Sequence, residues 1–506
     1  MYSPFESGRG RTFDMTKIPK EIVEVIKKLR ENNFEAFLVG GCVRDFLRGE
    51  KPKDWDITTN AKPEEMQKIF PDSFYENDFG TVGVKTGSDD ETLKVVEVTP
   101  FRLEAKYSDK RHPDKIEFAQ SLADDIGRRD FTINALAMAL GKSDFPRKSD
   151  FQIIDLVGGK EDLKNKIIRA VGEPAERFQE DALRLLRAVR FSAELDFTIE
   201  ERTREAVKKN AGLLKFISKE RIRDEFVKLI MSEGAAEGIE FLRESGLLKE
   251  FLPELLEGVG VGQNLHHVFT VWEHNLKALE YTVKKGYSFE VKLASLLHDI
   301  AKPRAKRGEG KFSTFYGHDV LGAKMSAKIL ERLRFPKDFS EKVIRLVRWH
   351  LFYYNVGEVT ESSVRRVLRN VGPDLIEDLI RVREADRIGS GVPKAVPYKL
   401  RHFKFMVEKV QKDPISVGML KVKGDDVMKI LRIRPGPKVG MALSALLEEV
   451  LQEPKKNTKE YLIGRIKELG ELSEAELKKL AESGKEKKEE VEASRDRELK
   501  EKFWVA

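Results

Sequence analysis

Apolar side chains at Ile18, Ile22, Val25, Ile26 and Leu29 recur at the spacing of one helix face and predict a first helix over residues 18–31. The period then shortens. Phe34 to Val39 is an apolar run of strand length that leads into Gly40-Gly41 and a helical segment from Val43 to Leu47, so strand, glycine turn and helix are expected in that order. Asp54–Thr58, Thr81–Thr86 and Thr92–Thr99 read as further strands. Pro63–Phe70 opens with a proline suited to a first helical turn. Up to about residue 140 the chain therefore predicts an α/β unit. From Ser121 onward the 3.6-residue period takes over, through Glu180–Phe191, Thr198–Lys209, Lys219–Met231 and many later segments, and the remainder is expected to be essentially all-α. Residues 474–502 are almost all Glu, Lys, Arg, Ser and Ala, so they are expected to bury no core and to form either a solvated helix or a disordered tail. No solenoid-type repeat is visible.

Composition narrows the class of protein. A chain of 506 residues is too long for one ordinary core and suggests about three or four domains. Hydrophobic residues make up 40%, no apolar run reaches the roughly 18 residues of a membrane span, and MYSPFESGRGRTFD lacks a signal-peptide core. A soluble, cytoplasmic protein with no membrane partner is expected. The single cysteine, Cys42, rules out an internal disulfide and a Cys-rich zinc site, and is expected to be a small packed residue. The 93 Lys and Arg against 86 Asp and Glu leave a formal charge of +7 on a densely charged surface. That balance permits RNA binding without proving it.

Candidate chemistry begins at the glycine turn. Two glycines between strand and helix let backbone N–H groups approach an anion closely, and Arg44, one turn in, can grip the same phosphate. In Asp54-Trp55-Asp56 the period of two sends both carboxylates to one strand face. Two such acids can hold divalent cations for in-line phosphoryl transfer, with Mg²⁺ the natural choice. Glu97, between apolar neighbours, is either a third carboxylate beside them or a solvent-facing strand residue. Arg129 beside Asp130 can hold a phosphate with one side chain and a ribose hydroxyl with the other, or form a surface salt bridge. Asp181, Arg184, Arg187 and Arg190 recur every three positions along an expected helix; Asp181 accepts and Arg184 donates, so together they can read a base edge, the alternative being an ordinary Asp/Arg ladder.

The order and spacing of these pieces carry a resemblance. GGCVRDFLRGEKPKDWDITT resembles the signature of class II tRNA nucleotidyltransferases and bacterial poly(A) polymerases, of the DNA polymerase β-like superfamily, and Arg128-Arg129-Asp130 and Glu180-Asp181-Ala182-Leu183-Arg184 resemble two further motifs of that family. The resemblance implies a multi-domain protein: an α/β nucleotidyltransferase head with a small mixed sheet over 1–150, then an all-α neck and body over 151–260. It implies Asp54, Asp56 and Glu97 as catalytic carboxylates on Mg²⁺. Gly41, Arg44, Arg129, Asp130, Asp181, Arg184, Arg187 and Arg190 would bind the nucleotide, with Asp181 and Arg184 selecting CTP and ATP. Residues 101–113 are similar to the flexible loop of full CCA-adding enzymes, Ile154–Gly159 to the hinge between head and neck, and Ser218–Phe226 to the last motif, which supports the neck.

Five of the eight histidines fall between His266 and His318. A lone histidine on an apolar helix is more often a packed core residue than a ligand. Leu296-Leu297-His298-Asp299, however, preceded by His274 and followed by His318, His350 and Asp386, resembles the HD superfamily of metal-dependent phosphohydrolases. That resemblance implies an HD domain over 261–390 in which His274, His298, Asp299 and Asp386 hold a divalent transition metal or Mg²⁺, with His318 and His350 available for a second ion. His266 and His267 sit nearby and are expected as candidates for ligands or substrate contacts. A helical tail over 391–473, a possible tRNA contact, and a charged tail over 474–506 complete the expectation.

The activity implied is Mg-dependent, template-independent addition of CCA to the tRNA 3′ end from CTP and ATP, with further phosphohydrolase activity and no DNA partner. Two alternatives remain: a poly(A) polymerase of the same fold, and an HD phosphohydrolase with a degenerate, RNA-binding head.

Overall fold

The computed structural model describes residues 18–75, 80–104, 116–141, 151–264, 268–352, 354–411, 418 and 420–505. Two compact units are present, one of residues 1–347 with 389–391, the other of residues 348–388 with 392–506.

The first unit opens with α1 (Lys20–Glu31), whose Ile22, Val25, Ile26 and Leu29 are buried as the periodicity requires. Then follow β1 (Ala36–Val39), α2 (Gly41–Arg48), β2 (Asp56–Thr59), α3 (Pro63–Ile69), β3 (Ser73–Tyr75), β4 (Val82–Lys85), β5 (Val95–Pro100), β6 (Arg102–Glu104), β7 (Ile116–Phe118), α4 (Leu122–Gly127), β8 (Ala137–Leu140) and β9 (Phe151–Ile154). Seven strands form one mixed sheet in the order β3-β4-β5-β2-β1-β8-β9, with β2 and β5 parallel and the other neighbours antiparallel. One face packs on α1 and α2 through Leu38, Ile57, Val96 and Val98; Val39, Phe101, Ile126 and Ala137 build a second core.

Three sequence expectations change here. Asp54 lies in a bend and the strand starts only at Asp56, so the two acids do not share one strand face by period two. The sheet also recruits β8 and β9, well past Ser121, because a four-residue apolar run such as Ala137–Leu140 cannot be told from helix by periodicity. The helix expected over Glu180–Phe191 is broken: α5 (Gly159–Lys164) is followed by α6 (Pro174–Glu180) and α7 (Leu183–Leu195). Asp181 sits between them in extended conformation, its carboxylate accepting from the Leu183 N–H at 3.0 Å. A short acid that can bond the backbone favours a helix start over a helix interior.

Helices α8 (Glu201–Asn210), α9 (Lys219–Met231), α10 (Ala235–Glu244), α11 (Leu247–Phe251) and α12 (Pro253–Leu256) continue the neck and body, and α13 (Val271–Lys284), α14 (Phe289–Leu297), α15 (Lys302–Ala305) and α16 (His318–Arg332) carry the histidines. The second unit is helical. Its core joins Val427, Ala442, Leu446, Leu462, Ile466, Leu469 and Leu477. Residues 474–503 form one helix, the first of the two alternatives, and Leu477 and Leu499 on it are buried, contrary to the expectation that this stretch buries nothing. No helix among the described residues is long and apolar enough to cross a membrane.

Candidate active site and histidine centre

The glycine turn builds the first site. Gly40 holds φ +84°, and a Cβ there would meet Arg129 Nη1 at 3.1 Å and Asp56 Oδ2 at 3.7 Å, so the residue that caps α2 must be small and left-handed for the acid and the arginine to approach. Around it lies a cavity of about 590 Å³ lined by Gly40, Gly41, Arg44, Asp54, Asp56, Arg129, Asp130, Asn134, Arg187, Arg190 and Phe191, among others. Eight Lys and Arg and six carboxylates line it. This is the charge pattern for a polyanion held together with cations. Asp54 and Asp56 offer carboxylate oxygens only, a donor set that fits Mg²⁺. Cys42, beneath the turn, is the packed residue expected: buried, bonded to the Val39 carbonyl at 3.2 Å, its thiol pushed up to about 12 by burial and by Asp56.

The arginine side of the cavity is prearranged by buried acids. Arg44 donates to Asn134 Oδ1 at 2.7 Å and to Asp45, and Asn134 donates to Asp130 Oδ1 at 3.2 Å. Arg187 on α7 donates to Asp130 Oδ2 at 2.7 Å, which ties the neck helix to the head. Burial alone would raise the Asp130 carboxyl, but Arg187 and Arg184 hold it down to about 2. Arg128 and Arg129 both donate to Asp125, which is fully buried. Arg190 pairs with Glu225 of α9 at 2.6 Å, and the guanidinium carbons of Arg44, Arg187 and Arg190 stand 5.3, 5.1 and 3.8 Å from the Phe191 ring centroid. Asn134, Asp125, Glu225 and Phe191 were not singled out from sequence. Asp125 alone left a local trace, three and four residues ahead of the arginines it holds.

Other expected residues are placed differently. Glu97 pairs with Asp56 across β2 and β5, so both side chains leave the same sheet face. Glu97 is exposed and is not among the residues lining the cavity. Nor, among the described residues, does it form with Asp54 and Asp56 a group of ligand atoms all within 4.8 Å. Asp181 and Arg184 are also not among the lining residues. Arg221 donates to Asp181 at 2.7 Å; Arg184 is buried and donates to Glu180 at 2.7 Å and to the Arg128 carbonyl at 2.9 Å. At the expected hinge, Asp155 accepts from the N–H groups of Val157, Gly158, Gly159 and Lys160, which outweigh burial and hold its carboxyl below the usual range. Residues 105–113 of the expected flexible loop, and His266 and His267, lie outside the described residues.

The second site belongs to α13, α14 and α16. His274, His298, Asp299 and His318 are all buried. His274 Nε2 and His298 Nε2 are 2.8 Å apart; both approach Asp299 Oδ2, at 3.0 and 3.3 Å, and His318 Nε2 is 3.2 Å from Asp299 Oδ1. The tautomers follow from the other ring nitrogens. His298 Nδ1 bonds the Ser295 carbonyl at 2.7 Å and His318 Nδ1 the Phe315 carbonyl at 2.5 Å; a carbonyl only accepts, so each Nδ1 carries the hydrogen. In the neutral rings both Nε2 lone pairs then face a carboxylate, an arrangement of acceptors that a cation among them relieves. Imidazole nitrogens with carboxylate oxygens fit a divalent transition metal. Lys302, buried and not singled out from sequence, reaches Asp299 Oδ2 at 2.5 Å and Gln263 at 2.7 Å. Asp386, on the helix Ile376–Gly389, is buried and pairs with Arg383 at 2.5 Å; His350 is buried just after the helix Lys337–Trp349. Both belong to the second unit.

A mixed sheet with paired acids at a glycine turn, an arginine-bearing neck and a His/Asp centre define a nucleotidyltransferase head joined to an HD fold. Family matches agree: Poly A polymerase head domain over residues 36–169, Probable RNA and SrmB-binding site of polymerase A over 196–258, and HD domain over 271–390. The chain belongs to the family of CCA-adding enzymes and related tRNA nucleotidyltransferases. It is 32% identical to the CCA-adding enzyme of Lactococcus lactis subsp. cremoris (strain MG1363) over 90% of this chain and 99% of that one. Against the A-adding tRNA nucleotidyltransferase of Deinococcus radiodurans the identity is 34% over 82% and 91%. The chain spans about half the length of several curated CCA-adding enzymes that it matches at higher identity, 56% of one at 45%. Among solved structures, the Bacillus stearothermophilus CCA-adding enzyme in complex with CTP superposes with TM-score 0.56 at 29% identity, covering 89% of this chain and 98% of that one.

Proposed function

We propose that the protein adds CCA to the 3′ end of tRNA from CTP and ATP without a nucleic acid template. The observation that carries this reading is the convergence of Asp54, Asp56, Arg44, Arg129, Asp130 and Arg187 on one cavity beside the Gly40-Gly41 turn. In the reaction the RNA 3′-hydroxyl attacks the α-phosphorus of the nucleotide, its proton leaves, and pyrophosphate departs. Bound Mg²⁺ would lower the pKa of the attacking hydroxyl and neutralise the leaving pyrophosphate. Asp54 and Asp56 would hold it. The N-terminus of α2 with Arg44 and Arg129 would grip the triphosphate, and Asp130, kept ionised by Arg187, would accept from a ribose hydroxyl. Asp181 and Arg184 are proposed to choose the base; to do so they must give up Arg221 and Glu180, which makes base selection dependent on a rearrangement of the neck.

The A-adding relative favours a second reading, addition of the terminal A alone. Purified protein incubated with Mg²⁺, each nucleotide separately and tRNA ending before CCA or after CC decides between them. The CCA reading requires incorporation from CTP into the first tRNA; incorporation of ATP only, and only into the second, establishes the other.

The His274, His298, Asp299 and His318 cluster is proposed as a separate phosphohydrolase centre. A metal ion bound there would supply an acidified water for attack on a phosphate ester.

A further inference from the structure

We infer that Phe191 is a positioning residue of the nucleotide site, its ring gathering Arg44 of the head and Arg187 and Arg190 of the neck into one preformed clamp for a triphosphate. The inference rests on the nucleotidyl transfer reading and names what holds its phosphate grip in shape. The guanidinium carbons of the three arginines stand over this one ring, at 5.3, 5.1 and 3.8 Å from its centroid. Phe191 lies on α7 one turn after Arg187, so the two share a helix face, and Arg190 precedes it directly. Arg44 comes from α2 in the head. The ring is buried at the wall of the cavity and packs edge-to-face with Phe131, their centroids 5.8 Å apart and their planes at 80°.

Three like charges do not gather unaided. Burial, and the charge of Arg187 close by, push the Arg190 guanidinium below its ordinary value against the pull of Glu225. The acids neutralise charge without joining all three arginines: Asp45 adjoins Arg44 on α2, Glu194 lies on α7 with Arg190, and Glu225 on α9 pairs with Arg190 and stands 3.8 Å from Arg187. Asp130 accepts from Arg187 directly and is tied to Arg44 through Asn134. The Phe191 ring meets all three, and the attraction of its negative face for a cation grows as water is excluded. A clamp held in this way needs little ordering when a triphosphate arrives. The ring is therefore expected to set nucleotide affinity rather than the rate of the chemical step, which falls to Asp54 and Asp56. Leucine would fill much of the same space and keep none of the attraction.

Ring electrostatics can be changed at nearly constant shape by replacing Phe191 in the full chain, through nonsense suppression, with mono-, di- and trifluorophenylalanine, since each fluorine draws charge from the ring face. Equilibrium dialysis with labelled CTP or ATP and Mg²⁺, without tRNA, reads affinity apart from turnover. Kd is expected to rise stepwise with fluorine, to about tenfold for the trifluoro ring, and at least as far in Phe191→Leu. Single-turnover extension at saturating nucleotide is expected to stay within about twofold of wild type. Circular dichroism and melting temperature check the fold of each protein. A residue that only fills the core would give an affinity indifferent to fluorine; that flat series overturns the inference, as does a loss confined to the extension rate with affinity intact. The transfer reading fails separately. Wild-type protein that binds neither nucleotide defeats it and the inference together, whereas wild-type binding with a flat fluorine series defeats the inference alone.

Discussion

Asp130 illustrates how much of the head cavity depends on single charges. Its carboxyl, held at about 2 against an ordinary 3.8, contributes about 2 kcal/mol of stability at neutral pH. Because the folded value is depressed, that contribution is present above about pH 4 and is lost as pH falls toward 2. Arg187→Met leaves the buried carboxylate without its main counter-charge and is expected to cost about 3 kcal/mol at pH 7. In urea titrations the gap between wild type and variant should narrow as pH drops from 5 toward 2; a gap independent of pH would show that Asp130 is not the coupled group. At the acids proposed to hold Mg²⁺, Asp56→Ala is expected to lower CTP incorporation on the order of a thousandfold or more, measured by single-turnover extension of tRNA. The acids, the glycine turn and Arg129-Asp130, which line one cavity, were legible in sequence because each is a short local pattern of few residue types. Asn134 and Glu225 were not, since their meaning lies in partners such as Arg44, 90 positions away.

Among the elements, the strand–turn–helix of β1 and α2 follows from local pattern, while the two ends of the neck obey contacts the pattern does not encode. Gly159, first residue of α5, would place a Cβ 2.2 Å from the Thr132 carbonyl oxygen, a backbone atom that cannot swing aside. Gly159→Ala is therefore expected to destabilise the protein by about 3 kcal/mol and lower its melting temperature, whereas alanine at Gly127, where a Cβ meets nothing within 4 Å, serves as the control. Equal melting temperatures for the two variants would show that the close approach of α5 to residues 132–134 does not matter. The break at Asp181 has the same lesson. Periodicity continued through Glu180–Phe191, but the carboxylate bonded the Leu183 N–H and Arg221, and the helix started again behind it.

For the molecule as a whole, metal binding should appear as stability. The histidine centre gathers acceptors around Asp299, so an ion that binds the folded chain and not the unfolded one adds about 2.7 kcal/mol at a hundred times its dissociation constant. Differential scanning calorimetry with Mn²⁺ against EDTA should show a rise in melting temperature of a few degrees that is absent in His298→Ala. A rise of the same size in that variant would place the stabilising ion elsewhere.

Local sequence sufficed for the first helix of the head, the strand, glycine turn and helix that follow it, the acids near that turn, the histidine cluster and the family they indicate, because each rests on side-chain period or on a short motif. Tertiary structure decided the rest. It recruited β8 and β9 to the sheet, put Arg187 rather than Arg184 on Asp130, and gathered His274, His298 and His318 around one carboxylate. Those outcomes are set by which charges and apolar faces remain unsatisfied once the neighbouring elements have packed, a quantity that no window of adjacent residues contains.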